Sequence, residues 1–135
     1  MITVILNCYK RPEYLQEQIN AIKNQTVPVE DIWIWYNKPE DKEQYDLSHL
    51  GCKVATCNHN FKFHGRFAFG LLTKTKYVAY FDDDTIPGPR WFESCLNEIE
   101  KENLILGTTG VKYKGDAYDP HTKIGWNGTK NNTLE

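Results

Sequence analysis

Continuous apolar runs and helically spaced apolar positions take turns along this chain. Ile2, Thr3, Val4, Ile5 and Leu6 form a β-branched run of the kind buried on both faces of a parallel sheet, and predict a first strand. Polar Asn7, Cys8, Tyr9, Lys10 and Arg11 follow. Pro12 then opens a helix at the position where proline is favoured, with Glu13 near the positive end of the helix dipole. Leu15, Ile19 and Ile22 recur at i, i+4 and i+7 as its buried stripe, and Asn24, Gln25, Thr26 and Pro28 end it. Residues 31–36 predict a second strand, apolar on both faces and therefore central. A charged stretch without regular structure runs to about His49. Residues 52–57 predict a third strand, more polar and so nearer an edge.

An aromatic loop at residues 58–65 leads into an apolar helix at 66–72, and residues 77–81 predict the fourth strand. A helix over 90–102 carries Trp91, Cys95 and Ile99 at i, i+4 and i+8. Residues 104–106 and 111–113 predict two further strands. From Lys114 the chain is polar and glycine-rich, with Ile124 and Trp126 its apolar knot. This alternation predicts an α/β fold with a mostly parallel central sheet sandwiched by helices. Right-handed crossovers leave few strand orders, and we expect 3-2-1-4 plus C-terminal strands. The chain then changes direction between strands 1 and 4, where open α/β sheets bind ligands.

A length of 135 residues implies one domain, 1–135, and the 40% apolar and 25% charged composition places it among globular proteins. Sixteen Lys and Arg against 18 Asp and Glu give a formal charge of −2, which argues against nucleic acid as a partner. A small basic pocket for phosphates remains compatible with that balance. The four cysteines show neither CxxC nor zinc-finger spacing and read as reduced thiols. No signal-like segment or membrane-length apolar run is visible, so the expectation is a cytoplasmic protein with no membrane span.

The chemistry concentrates where the fourth strand ends in Asp82, Asp83 and Asp84, before a Pro87-Gly88-Pro89 turn. Adjacent carboxylates near a protein surface repel by about 4 kcal/mol, which favours a cation or donors beside them. Hard oxygen ligands suit Mg²⁺ or Mn²⁺, with substrate phosphates completing the shell. Asp84 is the candidate metal ligand, and Asp82 or Asp83 holds a sugar hydroxyl or the metal's water shell. The bland alternative is a solvated acidic turn. Arg66, after a glycine at a helix start, either suits a phosphate or is a solvated helix-start arginine, a basic residue being disfavoured by the dipole at that end. Asn37 follows a buried strand, where it either reads a base edge or is a turn residue. Tyr9 either stacks on a base or covers the sheet end. His59, His64 and His121 lack metal-ligand spacing.

Taken in order, these segments resemble the family 2 glycosyltransferases of GT-A fold. The opening strand with its Tyr9 to Arg11 turn, the helix ending in Gln25-Thr26 and the second strand ending at Asn37 follow the family pattern. So do the arginine-led helix from Arg66, the DxD-like triplet and the Pro87 to Trp91 helix start. The resemblance covers residues 2–110. It implies a nucleotide-sugar donor, most naturally UDP-linked, a Mn²⁺ or Mg²⁺ cofactor, and transfer of a hexosyl group to an acceptor that is a glycan, lipid or protein. It also implies that Asn7, Tyr9 and Arg11 contact the nucleotide, that Asn37 stands at the base-reading position and that Arg66 faces the ribose or diphosphate. Asp82 and Asp83 would hold the ribose, Asp84 with Asp82 the metal, and Trp126 would line the sugar.

Tyr36-Asn37 replaces the family's acidic pair. Asp116 and Asp119 are the carboxylates near the C-terminal end, and neither is identified as a general base, so the catalytic base stays unassigned. A competing expectation is a minimal donor-binding module or slow nucleotide-sugar hydrolase, with its acceptor site supplied by a homo-oligomer or another partner. A nucleotidyltransferase ranks lower because no glycine- and lysine-rich phosphate loop follows the first strand.

Overall fold

A computed structural model describes residues 1–40, 43–102, 104–113, 115 and 121–125. The contacts group the chain into two units, Met1–Pro89 and Arg90–Glu135. In the first unit the β-branched opening run becomes β1 (Ile2–Cys8), buried throughout except at half-buried Asn7. A strand this apolar needs neighbours on both edges. It pairs in parallel with β2 (Asp31–Asn37) on one side and β4 (Tyr77–Phe81) on the other, while β3 (Lys53–Cys57) pairs with β2. The sheet order is β3-β2-β1-β4, as expected from the pattern. Leu6 sits opposite both Ile34 and Phe81, so β1, β2 and β4 all end on the same side of the molecule.

Pro12 opens a 3-10 turn, Pro12–Tyr14, that runs into α1 (Leu15–Lys23). The helix buries Leu15, Gln18, Ile19 and Ile22, so a glutamine sits inside the apolar stripe. In β2, Ile32, Ile34 and Tyr36 are buried, and half-buried Trp33 and Trp35 occupy the opposite face. There α2 (His64–Gly70) covers them through Phe69, whose ring lies 4.9 Å from Trp33 and 5.8 Å from Trp35. The stretch before β3 is not wholly irregular. A 3-10 turn at Ser48–Leu50 buries Leu50 beside buried Leu47, and Gly51 ends it in the left-handed region at φ 64°.

The second unit holds α3 (Trp91–Ile99) and an antiparallel pair, β5 (Thr109–Tyr113) with β6 (His121–Gly125). Four expectations are corrected here. The helix ends at Ile99 rather than near Glu102, and its buried residue is Phe92 rather than the Trp91, Cys95 and Ile99 stripe. Residues 104–106 form no strand, and Ile105 is fully exposed. Three apolar residues next to Gly107 have too little side-chain cover to hold a ladder. The C-terminal strands instead pair with each other in a separate sheet. All four cysteines are free thiols, and no helix among the described residues is long and apolar enough to cross a membrane.

Candidate functional site

The register of β1 and β4 brings two polar segments side by side. Leu6 pairs with Phe81, so Asn7 and the turn beyond it adjoin the acidic triplet. The Thr85 amide donates to the Asp82 carbonyl at 3.1 Å and closes a tight turn over the three carboxylates. Their side chains diverge. Asp83 turns inward and is 9% exposed, whereas Asp82 and Asp84 are 55% and 53% exposed. Each meets a guanidinium. Arg11 donates from Nη2 to Asp83 at 2.6 Å and lies 3.1 Å from Asp84 through Nη1, and Arg66 donates to Asp82. Divergence and pairing together relieve the repulsion that a linear reading of three adjacent aspartates implies. Hydrogen bonding to Asp83, and then its charge, raises the Arg11 guanidinium above its already high value.

The two arginines are not equivalent. Arg11 has a half-exposed side chain, free to exchange a carboxylate for another anion. Arg66 is 10% exposed, sits under the Phe63 and Phe67 rings at 5.7 and 5.3 Å, and has a buried Nε with no hydrogen-bond partner among the described residues. It is a fixed charge rather than a mobile one.

A crevice of about 360 Å³ opens over this cluster, walled by the three aspartates and Arg11. Asn7, Tyr9, Lys10 and Phe63 complete it, and Lys10 lies over the Tyr9 ring at 5.1 Å. A second groove of about 430 Å³, beside Tyr36, Tyr45 and Asp46, has no cationic side chain among the described residues that line it. Asn37 is buried at the end of β2 but does not line the crevice. Its Nδ2 donates to Asn60 at 2.5 Å and its Oδ1 accepts from the Phe61 amide at 3.2 Å, pinning the loop ahead of α2. Trp126, Asp116 and Asp119 lie outside the described residues.

Reading the sequence for apolar spacing missed Gln18. Fully buried on α1, it donates from Nε2 to the carbonyls of Asp82 at 2.6 Å and Thr85 at 2.7 Å. Seven residues on, Gln25 donates to the Gly88 carbonyl at 2.6 Å, and the Thr26 amide donates to Pro89 at 3.0 Å. The helix and the turn that follows it thus grip the acidic turn at both ends. The available signal was a glutamine at i+3 inside a stripe of Leu and Ile, since a buried amide needs a partner. Replacing Gln18 by leucine should lower stability by about 1–2 kcal/mol, because the Thr85 carbonyl loses its donor, tempered by removal of Gln18 Oε1, which has no partner among the described residues. Urea unfolding equal to that of the native chain would show that the clamp contributes nothing.

Cys8 lies buried beneath the same cluster. Burial first, then the charges of Asp83 and Glu13, push its thiol from 9.0 to about 12. Below pH 9.0 the thiol is protonated in folded and unfolded chains alike. Above it the unfolded chain releases a proton that the folded chain keeps up to about pH 12, so stability falls as pH rises. Cys8→Ala should flatten this alkaline decline, as read from urea midpoints measured on both sides of pH 9.0; an unchanged slope would assign the decline to other groups.

The donor set also bears on a metal. Asp82 and Asp84 offer hard, half-exposed oxygens, but among the described residues no three His, Cys, Asp or Glu side chains form a group able to hold an ion. Magnesium is commonly held by one or two carboxylates plus substrate phosphates and water. The residues therefore fit a cation that arrives with a diphosphate, not a closed protein cage.

Comparison with known proteins agrees with this geometry. An "Uncharacterized glycosyltransferase" of Haemophilus influenzae is 29% identical over 114 residues, covering 78% of this chain and 34% of its own. The crystal structure of S. aureus TarS superposes with a TM-score of 0.53 at 16% identity, over 74% of this chain and 19% of that one, a likeness of fold. The chain thus spans about a third of the curated relative and about a fifth of the solved structure. Residues 3–135 match the family described as "Glycosyl transferase family 2". A match running over nearly the whole length of a parallel sheet with its carboxylates at the switch point means that this chain belongs to glycosyl transferase family 2.

Proposed function

We propose that the crevice binds a nucleotide-diphosphate sugar, with UDP the nucleotide to test first, and that the chain serves transfer of a hexosyl group to a glycan, lipid or protein acceptor. The observation that carries this is the interlocked set of Asp82, Asp83 and Asp84 with Arg11 and Arg66 at the β1/β4 switch point. Lys10 and Arg11 supply the charge that a diphosphate needs, and Arg11 can trade Asp84 for a phosphate oxygen while Asp83 keeps hold of it. Tyr9 offers a ring face and Asn7 an amide to the nucleotide. Arg66 holds Asp82 in place, and Asn37 acts through the loop that it anchors. Mg²⁺ or Mn²⁺ held by Asp84 and Asp82 would offset charge building on the leaving diphosphate. We assign Trp126 to the sugar and leave the catalytic base unassigned.

A second reading, donor binding with slow hydrolysis, is favoured by one observation. Every carboxylate lining the crevice among the described residues is paired with an arginine, so none stands free to accept an acceptor's proton. Calorimetric titration of UDP-sugars with and without Mn²⁺ tests the shared part. Metal-dependent binding supports it, and no binding of any nucleotide-sugar refutes it. Product analysis after incubation then separates transfer from release of free sugar.

A further inference from the structure

Arg11 bridges two neighbouring carboxylates. It donates from Nη2 to Asp83 at 2.6 Å, while Nη1 lies 3.1 Å from Asp84. The two bonds are unequal. Asp83 is buried and holds the guanidinium closely, whereas Asp84 is half-exposed and sits at the longer distance. An ion pair between exposed groups is worth little, so the Asp84 bond is the one that opens. Arg66 has no such freedom, since it lies buried beneath two rings with Nη1 on Oδ1 of Asp82.

Charge says when the bond opens. Among the described residues at the crevice, Asp82, Asp83 and Asp84 face Lys10, Arg11 and Arg66, so the protein's own charges already balance there. A divalent cation entering alone would meet surplus positive charge, with a guanidinium already on the most exposed end of the triplet. A diphosphate brings one negative charge per phosphate. It restores the demand for a cation and offers Nη1 of Arg11 a new oxygen.

We infer that Arg11 is an internal latch: it holds Asp84 until a diphosphate draws Nη1 away, so that divalent cation and diphosphate bind as a pair, each strengthening the other. The inference rests on the diphosphate reading of the crevice and adds how that site is regulated. Such coupling is reciprocal, so the nucleotide tightens the metal by the same factor as the metal tightens the nucleotide. Lys10 supplies the control. It carries the same charge at the same crevice but lies over the Tyr9 ring, with no ion pair to the triplet among the described residues.

Calorimetric titration of Mn²⁺ alone into the full chain tests the latch without any nucleotide. Arg11→Gln should bind Mn²⁺ at least about tenfold more tightly than the native chain. Arg11→Lys keeps a cation for buried Asp83, but a single ammonium does not fork across two carboxylates. It should gain about fivefold or more, and it carries the test where the glutamine variant does not fold. Lys10→Gln removes a charge without freeing Asp84, and should change Mn²⁺ affinity by less than about threefold. With UDP present, the native chain should gain at least about tenfold in Mn²⁺ affinity, and Arg11→Gln distinctly less. Equal Mn²⁺ affinity in the native chain and the Arg11 variants overturns the latch, as does a gain in Lys10→Gln as large as that in Arg11→Gln. Failure of every nucleotide-sugar to bind refutes the donor reading, and with it the pairing of metal and diphosphate, whereas the metal-alone comparison fails only with the latch itself.

Discussion

Asp84→Asn should weaken Mn²⁺-dependent binding of a UDP-sugar by at least about 10- to 100-fold, since even groups that only support a metal ligand lose that much when replaced. The change swaps a charged hard oxygen for a neutral amide while keeping the shape. Because Asp84 is half-exposed and its ion pair with Arg11 is exposed too, the fold should barely notice. Nucleotide-sugar binding without metal should hold steady or improve slightly, as Arg11 is released from one carboxylate. Paired titrations with and without Mn²⁺ on the native and mutant chains measure both effects. Equal metal dependence in the two proteins would remove Asp84 from the site and return the triplet to a solvated turn. Asp83→Asn makes the contrasting case: it disturbs a buried carboxylate bound to Arg11 at 2.6 Å, so stability as well as binding should fall.

Gly65→Ala should destabilise the fold by about 1–3 kcal/mol, a melting temperature lower by roughly 5–10 °C. A methyl group built on Gly65 would lie 2.2 Å from Trp35 Cζ2 and 2.4 Å from Cε2, closer than any real contact. The indole is pinned between β2 and Phe69, so relief must come from moving α2 outward. That movement pulls Arg66 away from Asp82, and donor binding should weaken in step. Gly70 provides the comparison. Its added methyl would meet the Tyr80 hydroxyl at 1.9 Å, but that is the far end of a half-exposed side chain that can swing aside. Gly70→Ala should therefore cost less, helped by the better helix propensity of alanine. Thermal unfolding of the two variants side by side checks the order, and a Gly70 variant less stable than the Gly65 one would show that the indole, not the phenol, is the yielding partner.

The helical and extended periods, the order 3-2-1-4 and the acidic switch point were all legible in the residues, because each rests on local spacing and on crossover handedness. Legibility ended where local spacing stopped being decisive. The 104–106 run looks like a strand by composition, yet whether it pairs depends on finding an edge, and β5 found β6 instead. The expected α3 stripe of Trp91, Cys95 and Ile99 is half-buried, and Phe92 is the helix's buried residue, since periodicity alone does not tell which of Trp91 and Phe92 is covered.

The site divides in the same way. That Asp82, Asp83, Asp84, Arg11 and Asn7 share one crevice follows from strand order, and strand order follows from sequence pattern. Which carboxylate turns inward, which arginine each one meets, that Gln18 grips the turn from α1 and that Asn37 spends its amide on Asn60 and Phe61 are contacts across 16 to 72 positions of chain. The sequence by itself determined the elements and their order, because backbone propensity and burial act within a few residues. Only the tertiary structure decided the partners, because a hydrogen bond forms wherever the packed backbone happens to aim a donor at an acceptor, and no local pattern encodes that aim.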